Sequence, residues 1–287
     1  MSVVLGPLLL SGVLMTNEEI DLELLLEAIH RQHGYDFRDY ARTSLKRRLA
    51  LAKERFACSS LSALQHKVLH DASFLPQLLS FLTVQVSELF RDPSYFAALR
   101  EKAIPHLKTY PSLKVWVAGC SSGEELYSLA ILFHEEGLGE QTIFYATDIN
   151  TEALVKAERG VFDLDRAAQF AENYRRAGGK SSLSDHYTAS CGAARFAENL
   201  RKHVVFADHS LVSDAVFAEV HLISCRNVLI YFNRRLQDRA LGLFKDALIR
   251  RGFLGLGAKE TLHFSSHATK FEEFVPEQQI YRKKGDL

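Results

Sequence analysis

From Pro111 to the C-terminus, apolar runs of strand length alternate with segments of helical period. "KVWVAG" leads into a helix opening at Gly123, and "TIFYATD" is followed by "TEALVKAERG". Then come "HVVFAD", "EVHLISC" with the helical "NRRLQDRALGLFKDALIR" behind it, "GFLGLG" and "QIYRKK". Alternation of this kind buries its strands in a mostly parallel sheet covered by helices on both faces, an α/β architecture. A ligand site in such a sheet lies beyond the carboxyl ends of the strands. Residues 162–202 break the pattern: they are polar, carry "RRAGGKSSLSD", and separate two core strands, so a small inserted subdomain is expected there.

Upstream, residues 16 to about 107 are helical in pattern. Thr16-Asn-Glu-Glu19 has the spacing of a capping box, and Ile20, Leu24 and Ala28 follow at helical spacing. A second helix, "RDYARTSLKRRLALAKERF", puts Ala41, Leu45, Leu49, Ala52 and Phe56 on one stripe. Further helices are expected around residues 60–70, 73–83 and 93–103. The chain thus divides into an N-terminal arm (1–15), an all-helical domain (16–90) and an α/β domain (91–287). The arm, "MSVVLGPLLLSGVLM", is apolar but lacks a basic flank and is too short to span a bilayer, so a packed or loosely ordered arm is expected. No other run approaches membrane length, and direct membrane insertion is not expected.

Lysine plus arginine balance aspartate plus glutamate at 35 each, so electrostatic recognition must be local. Cys58, Cys120, Cys191 and Cys225 form no Cys-x-x-Cys pair, which argues against a zinc ribbon or a disulfide framework and fits a reducing cytosol. None of the twelve histidines belongs to a His-Glu-x-x-His, and no metal is expected.

The stretch Lys114 to Phe133, "KVWVAGCSSGEELYSLAILF", is a strand, a glycine-rich turn and a helix start. Such turns receive anions through unpaired N–H groups. A P-loop would end in Gly-Lys-Ser/Thr, whereas Gly123-Glu124-Glu125 stands here and would repel a triphosphate. A nicotinamide site would need Gly-x-Gly-x-x-Gly, whereas the loop reads Gly119-x-x-x-Gly123. Asp148 closes the next strand, where a carboxylate can accept both hydroxyls of a ribose. The combination suits a ligand with a ribose and cationic groups and no phosphate, as in S-adenosylmethionine. Each acid has a plainer role open to it: favouring a helix N-terminus for Glu124 and Glu125, capping a loop for Asp148.

Four stretches then resemble the CheR-type chemoreceptor glutamate O-methyltransferases. "VSELFRDPSYF" (Val86 to Phe96) is similar to that family's Thr-x-Phe-Phe-Arg segment at the domain junction, "AGCSSGEELYSLA" to its cofactor loop, and "ATDINTEAL" to its ribose-binding strand end. "ISCRNVLIYFNRRLQ" (Ile223 to Gln237) is very close to its Cys-Arg-Asn-Val-x-Ile-Tyr-Phe signature. The resemblance runs from about residue 20 to 284. It implies a Rossmann-like S-adenosylmethionine-dependent methyltransferase domain behind an N-terminal all-helical domain, with S-adenosylhomocysteine as product. It also implies that Gln85, Ser87 and Arg91 contact the cofactor from the junction, with Gly119 in the turn. Glu124 would hold the methionine end, Asp148 the ribose, Arg226 and Asn227 would follow their strand into the site, and Tyr231 would line the methyl-transfer pocket. The family's Asn-Leu near the adenine is Ser210-Leu211 here, and its Gly-Glu-Glu-Pro is Gly-Glu-Glu-Leu. Arg91 and Tyr231 are the catalytic candidates; Cys120 and Cys225 read as buried apolar fillers, and Phe232 as a core aromatic.

By this resemblance the substrate is a glutamate on the cytoplasmic helical region of a chemoreceptor, with a receptor C-terminal peptide as a second contact for the inserted subdomain. Arg38, Arg42, Lys46 and Lys53 form a basic line at helical spacing, and an acidic receptor helix is the partner they fit; nucleic acid is not expected, for want of aromatic stacking residues and a basic overall balance. The expected location is the cytoplasm, with recruitment to membrane receptors. Three rivals stand beside this reading: a catalytically weak or inactive module binding the cofactor as a regulatory ligand, which Ser210 favours; a nicotinamide-dependent oxidoreductase; and a methyltransferase of another substrate class.

Overall fold

The computed structural model describes residues 15–285 except Val86, so the expected arm lies, Met15 apart, outside the described residues. Helices α1 (Asn17–His33), α2 (Arg42–Arg55), α3 (Leu61–His70) and α4 (Phe74–Leu82) come first. The Thr16 side chain accepts from Glu19 N–H while the Glu19 carboxylate accepts from Thr16 N–H, a closed capping box. The buried face of α1 is Leu22, Leu25, Leu26, Ala28 and Ile29, whereas Ile20 and Leu24 are exposed. The expected Ile20-Leu24-Ala28 stripe holds only at Ala28, because a strict spacing of four drifts around a helix of 3.6 residues per turn and the denser leucine face takes the core. In α2, Leu45, Leu49 and Ala52 are buried as expected, but so is Arg48. The helix starts at Arg42, so Arg38 sits in the preceding turn and the basic line loses its first helical member.

The chain continues through α5 (Pro93–Ala98), α6 (Ile104–Leu107), β1 (Leu113–Ala118), α7 (Glu124–Glu135), β2 (Thr142–Asp148) and α8 (Thr151–Arg159). Next come β3 (Val161–Asp163), α9 (Ala167–Arg176), β4 (Tyr187–Ser190), β5 (Ala193–Phe196), β6 (Val204–Asp208) and β7 (Val220–Cys225). The last elements are α10 (Arg234–Ala247), β8 (Leu248–Leu256), β9 (Phe271–Val275) and β10 (Ile280–Lys283). The main sheet has the order β6-β2-β1-β7-β8-β10-β9. From β6 to β8 all neighbours are parallel, and β10 runs antiparallel to both β8 and β9. β9, "FEEFV", was not among the expected strands, since two glutamates occupy its middle. The inserted region carries a three-stranded antiparallel sheet, β3-β5-β4, together with α9.

Two apolar clusters cover the faces of the main sheet. Leu22, Leu49 and Leu78 of the helical domain share one cluster with Trp116 of β1, Leu254 of β8 and Phe244 of α10. α7, with Tyr95 and Phe96 of α5, packs in the other. The helical domain is also sewn to the segment after β7: Ala41 N–H donates to the Tyr231 carbonyl at 2.8 Å, and Asn233 N–H to the Asp39 carbonyl at 2.9 Å. Phe232 is buried there, its ring edge-on to Tyr40. Among the described residues no helix is long and apolar enough to cross a membrane.

Candidate active site

The turn after β1 is shaped by close approach. Gly119 has φ +74°, and a Cβ there would lie 2.5 Å from a Val228 methyl, so glycine is required both by conformation and by space. Its N–H and that of Cys120 donate to the Thr147 carbonyl, which ties the turn to the end of β2. One residue on, the Asp148 carboxylate accepts from Ser121 N–H and Asn150 N–H, each at 2.9 Å. Burial raises its pKa, and those two backbone donors oppose the rise. Both oxygens keep a further lone pair, so the group caps its loops and remains free to accept hydroxyls.

A crevice with about 880 Å³ of empty space, open solvent at its mouth included, lies at the carboxyl ends of β1, β2 and β7. Gln85, Ser87, Arg91, Gly119, Asp148, Leu211, Arg226, Asn227 and Tyr231 all line it. Two expected members do not. Glu124 is buried and accepts from Ser122 Oγ at 2.8 and 2.9 Å, its pKa raised by burial; Glu125, one residue and about 100° round the helix, faces the crevice instead. Ser210 serves its own turn, where its Oγ accepts from Val212 N–H and Ser213 N–H, and His209 and Leu211 line the wall on either side.

Arg226 is present but engaged. Its guanidinium, almost wholly buried, bonds the Arg91 carbonyl, Glu125 and Asp92, and stacks 4.1 Å from the Tyr95 ring centroid. It is a positioning residue that fixes the main chain beside Arg91. Asp92 therefore spends its carboxylate on Arg226 and makes no side-chain cap for α5, although Pro93 begins that helix. Arg91 sits between two left-handed residues, Phe90 (φ +51°) and Asp92 (φ +54°), a backbone held in strain on both sides. Among the described residues its guanidinium has no hydrogen bond or ion pair.

Sequence reasoning missed three contributors and named a fourth, Glu125, only as one of an acidic pair. Glu260, buried, accepts from Asn227 N–H, Gly257 N–H and Ile230 N–H at 2.9, 2.7 and 3.2 Å, and so pins the loop that holds Asn227 at φ +61°. Burial raises its pKa against those donors. Arg48 reaches the crevice from α2, and a charge inside an apolar stripe was the available signal. His209 donates from Nε2 to the Ala215 carbonyl at 3.1 Å, leaving Nδ1 buried without a partner. Glu125 was visible as the second of a carboxylate pair. Cys120 and Cys225 are buried with thiol pKa values pushed up by burial, and both are free thiols. Among the described residues no group of histidine, cysteine and carboxylates could hold a metal.

The basic residues expected to dock a partner lie outside the crevice. Arg42 pairs with Glu23 at 3.1 Å, Lys46 with Glu19 at 3.9 Å, and Arg38 with Glu27 and Asp36 at 3.0 and 2.8 Å, so α1 supplies most of their partners.

A mainly parallel sheet with a glycine turn after its first strand and a buried aspartate ending the next is the framework of a Rossmann-like S-adenosylmethionine-dependent methyltransferase. A model of the CheR methyltransferase SAM binding domain matches residues 85–279, and one of the CheR methyltransferase all-alpha domain matches residues 20–83. The chain is 53% identical over 267 residues to the putative methyltransferase Cher3 of Pseudomonas putida, covering 93% of this chain and 98% of that one. It is 29% identical over 248 residues to a chemotaxis protein methyltransferase of Listeria innocua, covering 85% and 91%. Among solved structures, the N-methyltransferase NodS from Bradyrhizobium japonicum with S-adenosyl-L-homocysteine shares 14% identity over 59% of this chain and 62% of that one, a slight likeness with a TM-score of 0.34. The chain belongs to the CheR methyltransferase family.

The cofactor pair is S-adenosylmethionine and S-adenosylhomocysteine, and the crevice suits it. The crevice offers a buried carboxylate with spare lone pairs for hydroxyls and, in Arg91, a guanidinium with no partner among the described residues.

Proposed function

We propose that the chain methylates glutamate side chains of chemoreceptors, giving glutamate methyl esters in chemotaxis or a related chemosensory pathway. One observation carries the reading: Arg91, a cation with no partner among the described residues, shares a crevice with Asp148 and Tyr231. The cofactor supplies a methyl group already activated on a sulfonium. The accepting glutamate, with an ordinary pKa of about 4.3, is ionised at neutral pH, so the site needs no general base. What remains is to hold carboxylate oxygen, methyl carbon and sulfur in line and to exclude water.

In this reading Asp148 accepts the ribose hydroxyls, Glu125 faces the positive end of the cofactor in the role first expected of Glu124, and Gln85 and Ser87 close the junction side. Leu211, Val228 and Phe232 keep the walls apolar. Arg91 meets the carboxylate of the cofactor and Tyr231 lines the methyl-transfer pocket, so the nucleophile is oriented without being fully neutralised. An acidic receptor helix would dock on Arg42, Lys46 and Lys53 with Arg38, exchanging exposed ion pairs worth about 0–1 kcal/mol each for its own carboxylates. A receptor C-terminal peptide adding to an edge of the β3-β5-β4 sheet belongs to the same proposal, as does a cytoplasmic place of action. The rival of a non-catalytic module that binds the cofactor draws on Ser210, whose Oγ is spent on its own turn.

The test is methyl transfer from labelled S-adenosylmethionine to a purified chemoreceptor cytoplasmic fragment. A label released by mild base is expected, as for a methyl ester, and a base-stable product would mark another substrate class. Arg91→Ala should lose at least about a hundredfold in transfer at unchanged melting temperature, the scale of an interaction with a charged group made in the transition state. Undiminished activity would remove Arg91 from the site.

A further inference from the structure

Arg48 lies in the middle of α2, 5% exposed, where its neighbours Leu45, Leu49 and Ala52 are core residues. An arginine buried to that degree normally meets a carboxylate, because an uncompensated charge in the interior is costly. Here it meets none among the described residues. One terminal nitrogen donates to the Leu82 carbonyl at the end of α4, and the other to Ser44 Oγ at 2.6 Å. Both partners are neutral, and Nε has none. The guanidinium lies over the Tyr231 ring, 4.5 Å from its centroid, and lines the same crevice as Asp148 and Arg91. The ionisable groups that act on it are Tyr231, Tyr40 and Arg47, and burial holds its pKa below the ordinary arginine value.

We propose that Arg48 is the anchor for the accepting carboxylate: the substrate glutamate completes the charge of Arg48 beside Tyr231, leaving Arg91 to the carboxylate of the cofactor. This rests on the glutamate reading above. Each terminal nitrogen carries a second N–H beyond the one spent on Leu82 or Ser44, so one carboxylate oxygen can be held while the other attacks. The Leu82 and Ser44 contacts fix the plane of the guanidinium, which gives the acceptor an orientation as well as a counter-charge. The helical domain thereby contributes a buried group to the reacting centre, apart from any exposed docking surface.

The experiment compares wild type, Arg48→Met, Arg48→Lys and the exposed control Arg55→Met. S-adenosylhomocysteine affinity is read by calorimetry, and methyl transfer to a chemoreceptor cytoplasmic fragment by initial rates. Arg48→Met should bind S-adenosylhomocysteine within about twofold of wild type and lose about tenfold to a hundredfold in kcat/KM for the receptor, the range for one charged hydrogen-bonded contact. Arg48→Lys should recover part of that loss, and Arg55→Met should match wild type. If Arg48→Met fails to fold, Arg48→Lys decides by a raised receptor KM at unchanged cofactor affinity. Unchanged kcat/KM in the variants, or a tenfold loss of S-adenosylhomocysteine affinity, which would assign the carboxylate to the cofactor, overturns the proposal. A wild type that transfers no methyl group to the receptor overturns the glutamate reading itself, and this inference with it.

Discussion

Arg91 illustrates how much surrounding structure holds a single candidate site residue. The left-handed conformations of Phe90 and Asp92 cost on the order of 1–3 kcal/mol each and persist only because their side chains are over-determined. Phe90 is fully buried, and its N–H donates to Ser128 Oγ at 2.8 Å; Asp92 is tied to Arg226 at 2.7 Å. Asp92→Ala should therefore cost about 1–2 kcal/mol, discounted because Asp92 is partly exposed, and should slow methyl transfer by releasing the main chain at Arg91. Urea denaturation and initial rates check the two halves; a variant as active as wild type would show that the strained turn does not position Arg91. Nothing in "LFRDP" announces these two φ values, since left-handed backbone at Phe and Asp is imposed by tertiary contacts. The arginine itself was legible through the resemblance, whereas Arg48 stands in the basic run "KRR", and burial is not written in a charge run.

At the scale of elements, the segment after β7 is held from below by a residue distant in sequence. Glu260 gathers backbone N–H groups of Asn227, Gly257 and Ile230, and this sets where Asn227 and Tyr231 enter the crevice. Glu260→Ala would strand those donors in the interior. A loss of about 3 kcal/mol is expected, with weakened S-adenosylhomocysteine binding, measured by thermal unfolding and calorimetry. Retained affinity would mean the segment is fixed by its bonds to the helical domain alone. Alternating strands and helices were readable because burial on both sheet faces demands apolar runs, and six of the seven main-sheet strands follow them. β9 was not, because an edge strand can carry glutamates at its centre. The phase of α1 was misjudged because three residues at a spacing of four cannot outweigh four leucine and isoleucine side chains on a neighbouring face.

Across the whole molecule, the inserted subdomain is joined to the α/β core through a charged knot. Arg100 bonds Glu135 at 2.6 Å and Glu136 at 2.7 Å, Lys180 bonds Glu136 at 2.8 Å, and Tyr174 of α9 bonds Glu135. Burial alone would raise both glutamates, but these partners, with His186 and Lys108, hold them at about 2 against an ordinary 4.5. A lowered folded pKa means stability that is complete above about 4.5 and lost as pH falls toward about 2. Arg100→Met should cost about 3 kcal/mol at pH 7, and its deficit should shrink through that window. A deficit constant from pH 7 to pH 3 in urea titrations would contradict the assignment.

The helical domain and the sheet converge on one crevice whose acidic strand end we propose to receive a sugar and a sulfonium in place of phosphate. A crystal structure of the chain with S-adenosylhomocysteine tests this most directly. The prediction is a ligand in that crevice, ribose hydroxyls within hydrogen-bond reach of Asp148 and the amino-acid end directed toward Glu125 and Arg91. A crevice left empty with the ligand bound elsewhere, or a ribose away from Asp148, would contradict it.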